Sequence, residues 1–316
     1  MSGLNEHLLK RNDKRYEELN IFKWQEKGIT GEGVKIAIIG ENVGTHHNGA
    51  FLVRQVVPDA EVIELNIKVD DGTKMKFSEA FQYCIDNDVD VVCCNYLATH
   101  FRDDDKRLSK EMKDKGIIML ASSGNDYGKI NKYPAACEYW FATGAYYMNG
   151  RANFSQYGPT LLCLGHTNYA SITPAGDYIP ISHTSGTIQV IAGMAAMLKQ
   201  LKPDLTYKEF EEFVKEHAIR LSTENWNEEE GWGLLALPSE IPEFTLDNEG
   251  EDESMTEQFV DLNKDAWYYP AVKHAIESGS MKGKKGDDGK MYFEPSASLT
   301  RAEYAQSKYN EYLEGK

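Results

Sequence analysis

Ser185 closes the tripeptide His183-Thr184-Ser185, and the stretch after it, residues 188–198, is almost wholly apolar. That pattern predicts a helix too apolar for a surface, with a hydroxyl at its mouth. Such a hydroxyl has two uses. As an N-cap it accepts a hydrogen bond from one of the first-turn N–H groups, which otherwise lack partners. As a nucleophile it sits where the helix's positive end favours a developing oxyanion. The second use needs a base, because an unactivated serine is a poor nucleophile at neutral pH. His183 is only two residues from Ser185 and cannot easily turn its ring back onto the hydroxyl, so it is expected to be a partly exposed loop residue. His100, His166 and His217 have no partner at metal-ligand spacing. Asp103-Asp104-Asp105, followed by Lys106 and Arg107, reads as a solvated helix start rather than a cation site. No metal and no cofactor is expected.

The elements that must position Ser185 alternate along the chain. Strands are predicted at 34–39, 62–69, 89–96 and from 117, with helices at 77–87 and 104–115 between them. That rhythm gives an α/β fold, a parallel sheet flanked by helices. Residues 4–27 read as one or two amphipathic helices, with Tyr16, Leu19, Ile21, Phe22 and Trp24 among the apolar positions, packing on the main domain. Residues 242–258 are acidic and poor in aliphatic side chains, which predicts an extended, self-repelling linker. The expected organisation is therefore a helical segment over 1–28, a main domain over 29–241, the linker over 242–258 and a second domain over 259–316.

Along the main domain seven pieces occur in one order. They are Gly33-Val34-Lys35-Ile36-Ala37-Ile38-Ile39, Gly44-Thr45-His46-His47-Asn48-Gly49, the strand at 89–97, the strand and turn ending Ser122-Ser123-Gly124-Asn125, Tyr133-Pro134-Ala135, the stretch Ala152-Asn153-Phe154-Ser155-Gln156-Tyr157-Gly158, and Gly231-Trp232-Gly233. With His183-Thr184-Ser185 they resemble the subtilisin-like serine proteases. The resemblance implies that Ser185 stands at the nucleophile and Asn125 at the oxyanion hole. That mechanism also needs a histidine to take the serine's proton and an aspartate to orient the histidine. In the register of residues 34–39 the aspartate position falls on Gly40, and in the register of Gly44, Thr45, His46 and Gly49 the histidine position falls on Val43. Glu41 is the nearest carboxylate, but neighbouring strand residues point to opposite faces. A chain with Gly40 and Val43 in those places is expected to be a pseudoprotease, a binding or structural module. The alternative is a serine hydrolase with a rearranged triad of Ser185, Asn125 and His46 or His47.

The second domain resembles a single S-layer homology repeat. Phe259-Val260-Asp261 opens it, Trp267-Tyr268-Tyr269-Pro270-Ala271-Val272 begins its helix, and Leu299-Thr300-Arg301-Ala302-Glu303 supplies the arginine-bearing signature. Thr300 and Glu303 also stand at capping-box separation. The resemblance implies binding of an anionic cell-wall polymer by Arg301 and Trp267. An arginine fork suits a carboxylate or phosphate, and Lys282, Lys284, Lys285 and Lys290 add local positive charge. A protein-docking role for the repeat is the other option.

Composition bounds the rest. At 316 residues and 41% apolar content the chain is long enough for two domains and a substantial core. A formal charge of −16 argues against a general nucleic-acid binder. Five cysteines without a CXXC pair read as buried thiols. The amino terminus lacks an apolar core of signal-peptide type and no run of about 18 apolar residues occurs, so no membrane partner is expected and synthesis in the cytoplasm is. A wall-binding repeat on such a chain suggests release in a virion or display at the cell surface. The expected partner of the main domain is a protein or peptide.

Overall fold

The apolar run ahead of Gly40 forms the centre of a parallel sheet. The computed structural model describes residues 3–41, 50–67, 75–172, 178–223, 225–242, 259–262, 272, 276, 283–286 and 288–294. The chain divides into two compact units, Met1–Phe244 and Thr245–Lys316. Helices α1 (Gly3–Glu18) and α2 (Ile21–Gln25) precede strand β1 (Lys35–Gly40), α3 (Phe51–Val56) and β2 (Glu61–Asn66). Then come α4 (Phe77–Asp86), β3 (Val91–Cys94), α5 (Asp103–Asp114), β4 (Ile118–Ser122), β5 (Phe141–Tyr147), β6 (Gly150–Arg151) and β7 (Leu161–His166). The hairpin β8 (Tyr169–Ile172) and β9 (Tyr178–Ile181) leads into α6 (Thr184–Leu201), followed by α7 (Tyr207–His217).

The main sheet runs β2-β1-β3-β4-β5, with β7 also beside β5; these pairs are all parallel, and only the short β6 is antiparallel. β1, β3 and β4 are buried almost end to end, which explains why they read as continuous Val, Ile, Leu and Cys rather than as alternation: helices cover both faces. Because β2 and β3 lie on opposite sides of β1, the strand order reverses there, and a crevice is expected at the strands' carboxyl ends. The strand expected over 62–69 is shorter, ending at Asn66, because Ile67 already leaves the ladder for an isolated bridge to Met75.

α6 is the buried helix foreseen from its composition, with residues 186–199 all shielded from solvent. It packs on β1, β3, β4, β5 and β7. Gly193 brings α3 against it, since a Cβ there would lie 2.6 Å from Val56 Cγ1. On the other pair of helices, α4 and α5, Phe81 sits 5.2 Å from the Trp140 ring, and Trp140 Nε1 donates to Ser109 Oγ at 2.8 Å. At the amino terminus Tyr16, Leu19, Ile21 and Trp24 are buried, and Trp24 Nε1 donates to the Pro238 carbonyl at 2.9 Å. The side-chain amide of Asn12 bonds Ala170 of β8 twice, donating to its carbonyl at 2.9 Å and accepting from its N–H at 2.7 Å. All five cysteines are free and buried, and burial pushes the Cys84 thiol up to about 12. Among the described residues no helix is long and apolar enough to cross a membrane.

In the second unit β10 (Lys284–Lys285) pairs antiparallel with β11 (Met291–Tyr292). The carboxylate of Asp261 accepts from the N–H groups of Phe293 at 2.8 Å and Glu294 at 2.7 Å, tying the start of the repeat to its hairpin.

Candidate functional site

β4 ends at Ser122, and three residues later Asn125 meets the start of α6. Gly124 makes that turn with φ +107, a conformation glycine tolerates, and a Cβ there would collide with Gln156 Oε1. Asn125 Oδ1 then accepts from Thr184 N–H at 3.1 Å and from Thr184 Oγ1 at 3.0 Å.

This contact corrects the capping role foreseen for Ser185. The N-cap residue of α6 is His183, in extended backbone at φ −119 and ψ 170, and its side chain makes no cap bond. Its exposed imidazole stands edge-on to Phe154, with ring centroids 5.8 Å apart. Ser185 is thus the second residue inside the helix, too late to cap, and Asn125 does the work from another loop. Among the described residues Ser185 Oγ has no hydrogen-bond partner, and neither does Asn125 Nδ2. Removing the side chain at Asn125 should therefore cost what a lost N-cap costs, about 0.5–2 kcal/mol, while Ser185→Ala leaves stability nearly unchanged. Denaturant midpoints of the two variants check the contrast; equal losses would return the cap to Ser185.

With Oδ1 held by Thr184, the amide's Nδ2 and the backbone N–H of Ser185 are left at the positive end of an 18-residue helix. Two such donors suit a carbonyl oxygen or an oxyanion. The proton-transfer half of the site is different. Gly40 ends β1 and has no side chain, and Glu41 beside it is exposed. Val43, His46 and His47 lie outside the described residues. His166 ends β7 and its carbonyl accepts from Thr187 Oγ1 at 3.0 Å, yet its ring turns away, with Nε2 3.4 Å from Glu18 Oε2. Burial, reinforced by Arg15 and opposed by Glu18, pushes that imidazole down to about 4, so it is neutral near pH 7. His217 lies against Phe213, 4.4 Å between centroids, and His100 is exposed. None of these serves Ser185. In the second unit Lys284 and Lys285 are exposed, with Lys284 Nζ 3.3 Å from Glu294 Oε2, while Trp267 and Arg301 lie outside the described residues.

Fold and site together define a class. Residues 32–233 match the subtilase family and residues 258–305 match the S-layer homology domain. The chain belongs to the subtilase family. Subtilisin BL of Lederbergia lenta is 24% identical over 237 residues, spanning 63% of this chain and 88% of that protein. The minor extracellular protease Epr of Bacillus subtilis is 26% identical over 249 residues, 75% of this chain but 38% of its own length. Among solved structures, prenylagaramide maturation protease PagA superposes with a TM-score of 0.57 at 15% identity, covering 68% of this chain and 94% of that one. This likeness is one of fold.

Sequence reasoning missed the bond between Asn125 and Thr184, which joins residues 59 apart in the chain. Thr184 directly before Ser185 was the available signal.

Proposed function

We propose that the subtilase domain is a pseudoprotease, a binding module for a protein or peptide, held at a cell or virion surface through the second unit. The observation that carries it is the contrast at one site. The oxyanion-binding donors on Asn125 and α6 are assembled, but β1 ends on Gly40, and no described base is hydrogen-bonded to Ser185. A peptide carbonyl can rest on such donors without being cleaved. The S-layer homology domain suggests association with the cell surface, and Arg301 and Trp267 are the residues proposed to meet an anionic wall polymer.

The relatives named as proteases favour the second reading, a serine hydrolase in which His46 or His47 reaches Ser185. One preparation tests both halves. A fluorophosphonate probe is expected to leave Ser185 unlabelled, and rapid labelling that disappears in Ser185→Ala would establish the hydrolase instead. Arg301→Ala is expected to weaken pelleting with purified Gram-positive walls by one charge-assisted bond, about 1.5–3 kcal/mol, without altering the melting of the subtilase domain. Equal pelleting of both proteins, or none, would make the repeat a protein-docking module.

A further inference from the structure

A cavity of about 550 Å³ opens where β5 and β7 begin, at the end of the sheet away from Ser185. Its volume is in the range that takes a small molecule. Aromatic side chains from three separate parts of the chain line it. Phe141, the first residue of β5, stacks on Tyr207 of α7 with centroids 3.8 Å apart and planes 9° from parallel. Trp226 donates its indole N–H to the Leu161 carbonyl at 3.3 Å, and Trp232 lies on the same wall. Both tryptophans are only partly buried.

The polar groups in this cavity are few and of opposite kinds. Lys113 stands 4.7 Å over the Tyr207 ring, and Trp232 already carries Lys215 at 5.4 Å and Arg220 at 5.0 Å. Glu211 lines the cavity and forms no ion pair among the described residues; Glu138 does, with Lys106 at 2.8 Å.

These groups select by elimination. An organic cation would meet Lys113 and find the Trp232 ring already engaged by two positive charges. An anion would meet Glu211 and Glu138. A neutral molecule with an apolar face and several hydroxyls satisfies every group at once. Its face lies on the tryptophan rings, its hydroxyls donate to Glu211, and its oxygens accept from Lys113. We propose that this cavity binds a neutral saccharide of one or two rings, independently of the Ser185 site.

The full chain titrated with cellobiose and N,N′-diacetylchitobiose, by calorimetry and tryptophan fluorescence, tests it, with glucosamine and glucuronate as the cationic and anionic controls. At least one neutral disaccharide should bind saturably and both charged sugars more weakly. Glu211→Gln, at a partly buried position outside the core, should raise the Kd about fivefold, the worth of about one hydrogen bond, with unchanged melting. No saturable binding of either disaccharide, equal Kd in the parent and Glu211→Gln, or tighter binding of a charged sugar would overturn it.

Discussion

Peptide hydrolysis by this chain is expected to run about 10⁶-fold below that of a subtilase with all three triad groups in place. The magnitude is measured within this same family, where loss of the histidine or the serine costs about that factor in turnover and loss of the aspartate alone about 3 × 10⁴. On the proposed reading Gly40 stands at the acid position and Val43, by its spacing from Gly44 and Gly49, at the base position. On that reading the Asn125 amide and the first turn of α6 are left to supply the oxyanion share alone. A chromogenic peptide assay measures the deficit. Gly40→Asp should leave the rate where it was, because an orienting carboxylate is useless without an imidazole to orient. Recovery in Gly40→Asp would reveal a working base from the 42–49 segment and decide for the hydrolase.

The largest effect on stability is expected at Trp24. Its side chain is fully buried and its indole N–H reaches Pro238, while the side chain of Asn20 donates to Leu237 at 2.7 Å, so the first and last segments of the subtilase unit close on each other here. Trp24→Ala opens a cavity and orphans a carbonyl, costing about 3–5 kcal/mol. Trp24→Phe keeps most of the packing and loses the hydrogen bond, costing about 1–3 kcal/mol. Urea midpoints with an unchanged slope read both losses. Two variants equally stable with the parent would mean that the amino-terminal helices are not integral to the fold.

Much of this architecture was legible because each strand and its following turn carry local signals. The continuous apolar runs at β1, β3 and β4 reported strands buried on both faces, and the composition of α6 reported a helix through the core. Asn125 was legible through its Ser-Gly-Asn turn. The capping of α6 was not, because cap rules read only neighbours in sequence, and this cap arrives from a loop 59 residues earlier. The saccharide cavity was invisible for a similar reason. Phe141, Tyr207, Trp226 and Trp232 fall on a strand, a helix and the segment that follows it, with no period or spacing to join them. Only the packing of α7 beside β7 brings them together.

The double bond from Asn12 to Ala170 has a bearing on how these molecules behave in a crowd. A two-stranded hairpin such as β8–β9 has an outer rim of N–H and C=O groups on which a foreign strand can zip up. At Ala170 the side-chain amide of Asn12 stands in for such a peptide, donor to acceptor and acceptor to donor. An intruding chain would first have to peel α1 away. Buried there as well, Tyr16 stacks on Tyr169 with centroids 6.0 Å apart, so that peeling is resisted by packing too. The amino-terminal helix thus guards against edge-to-edge aggregation.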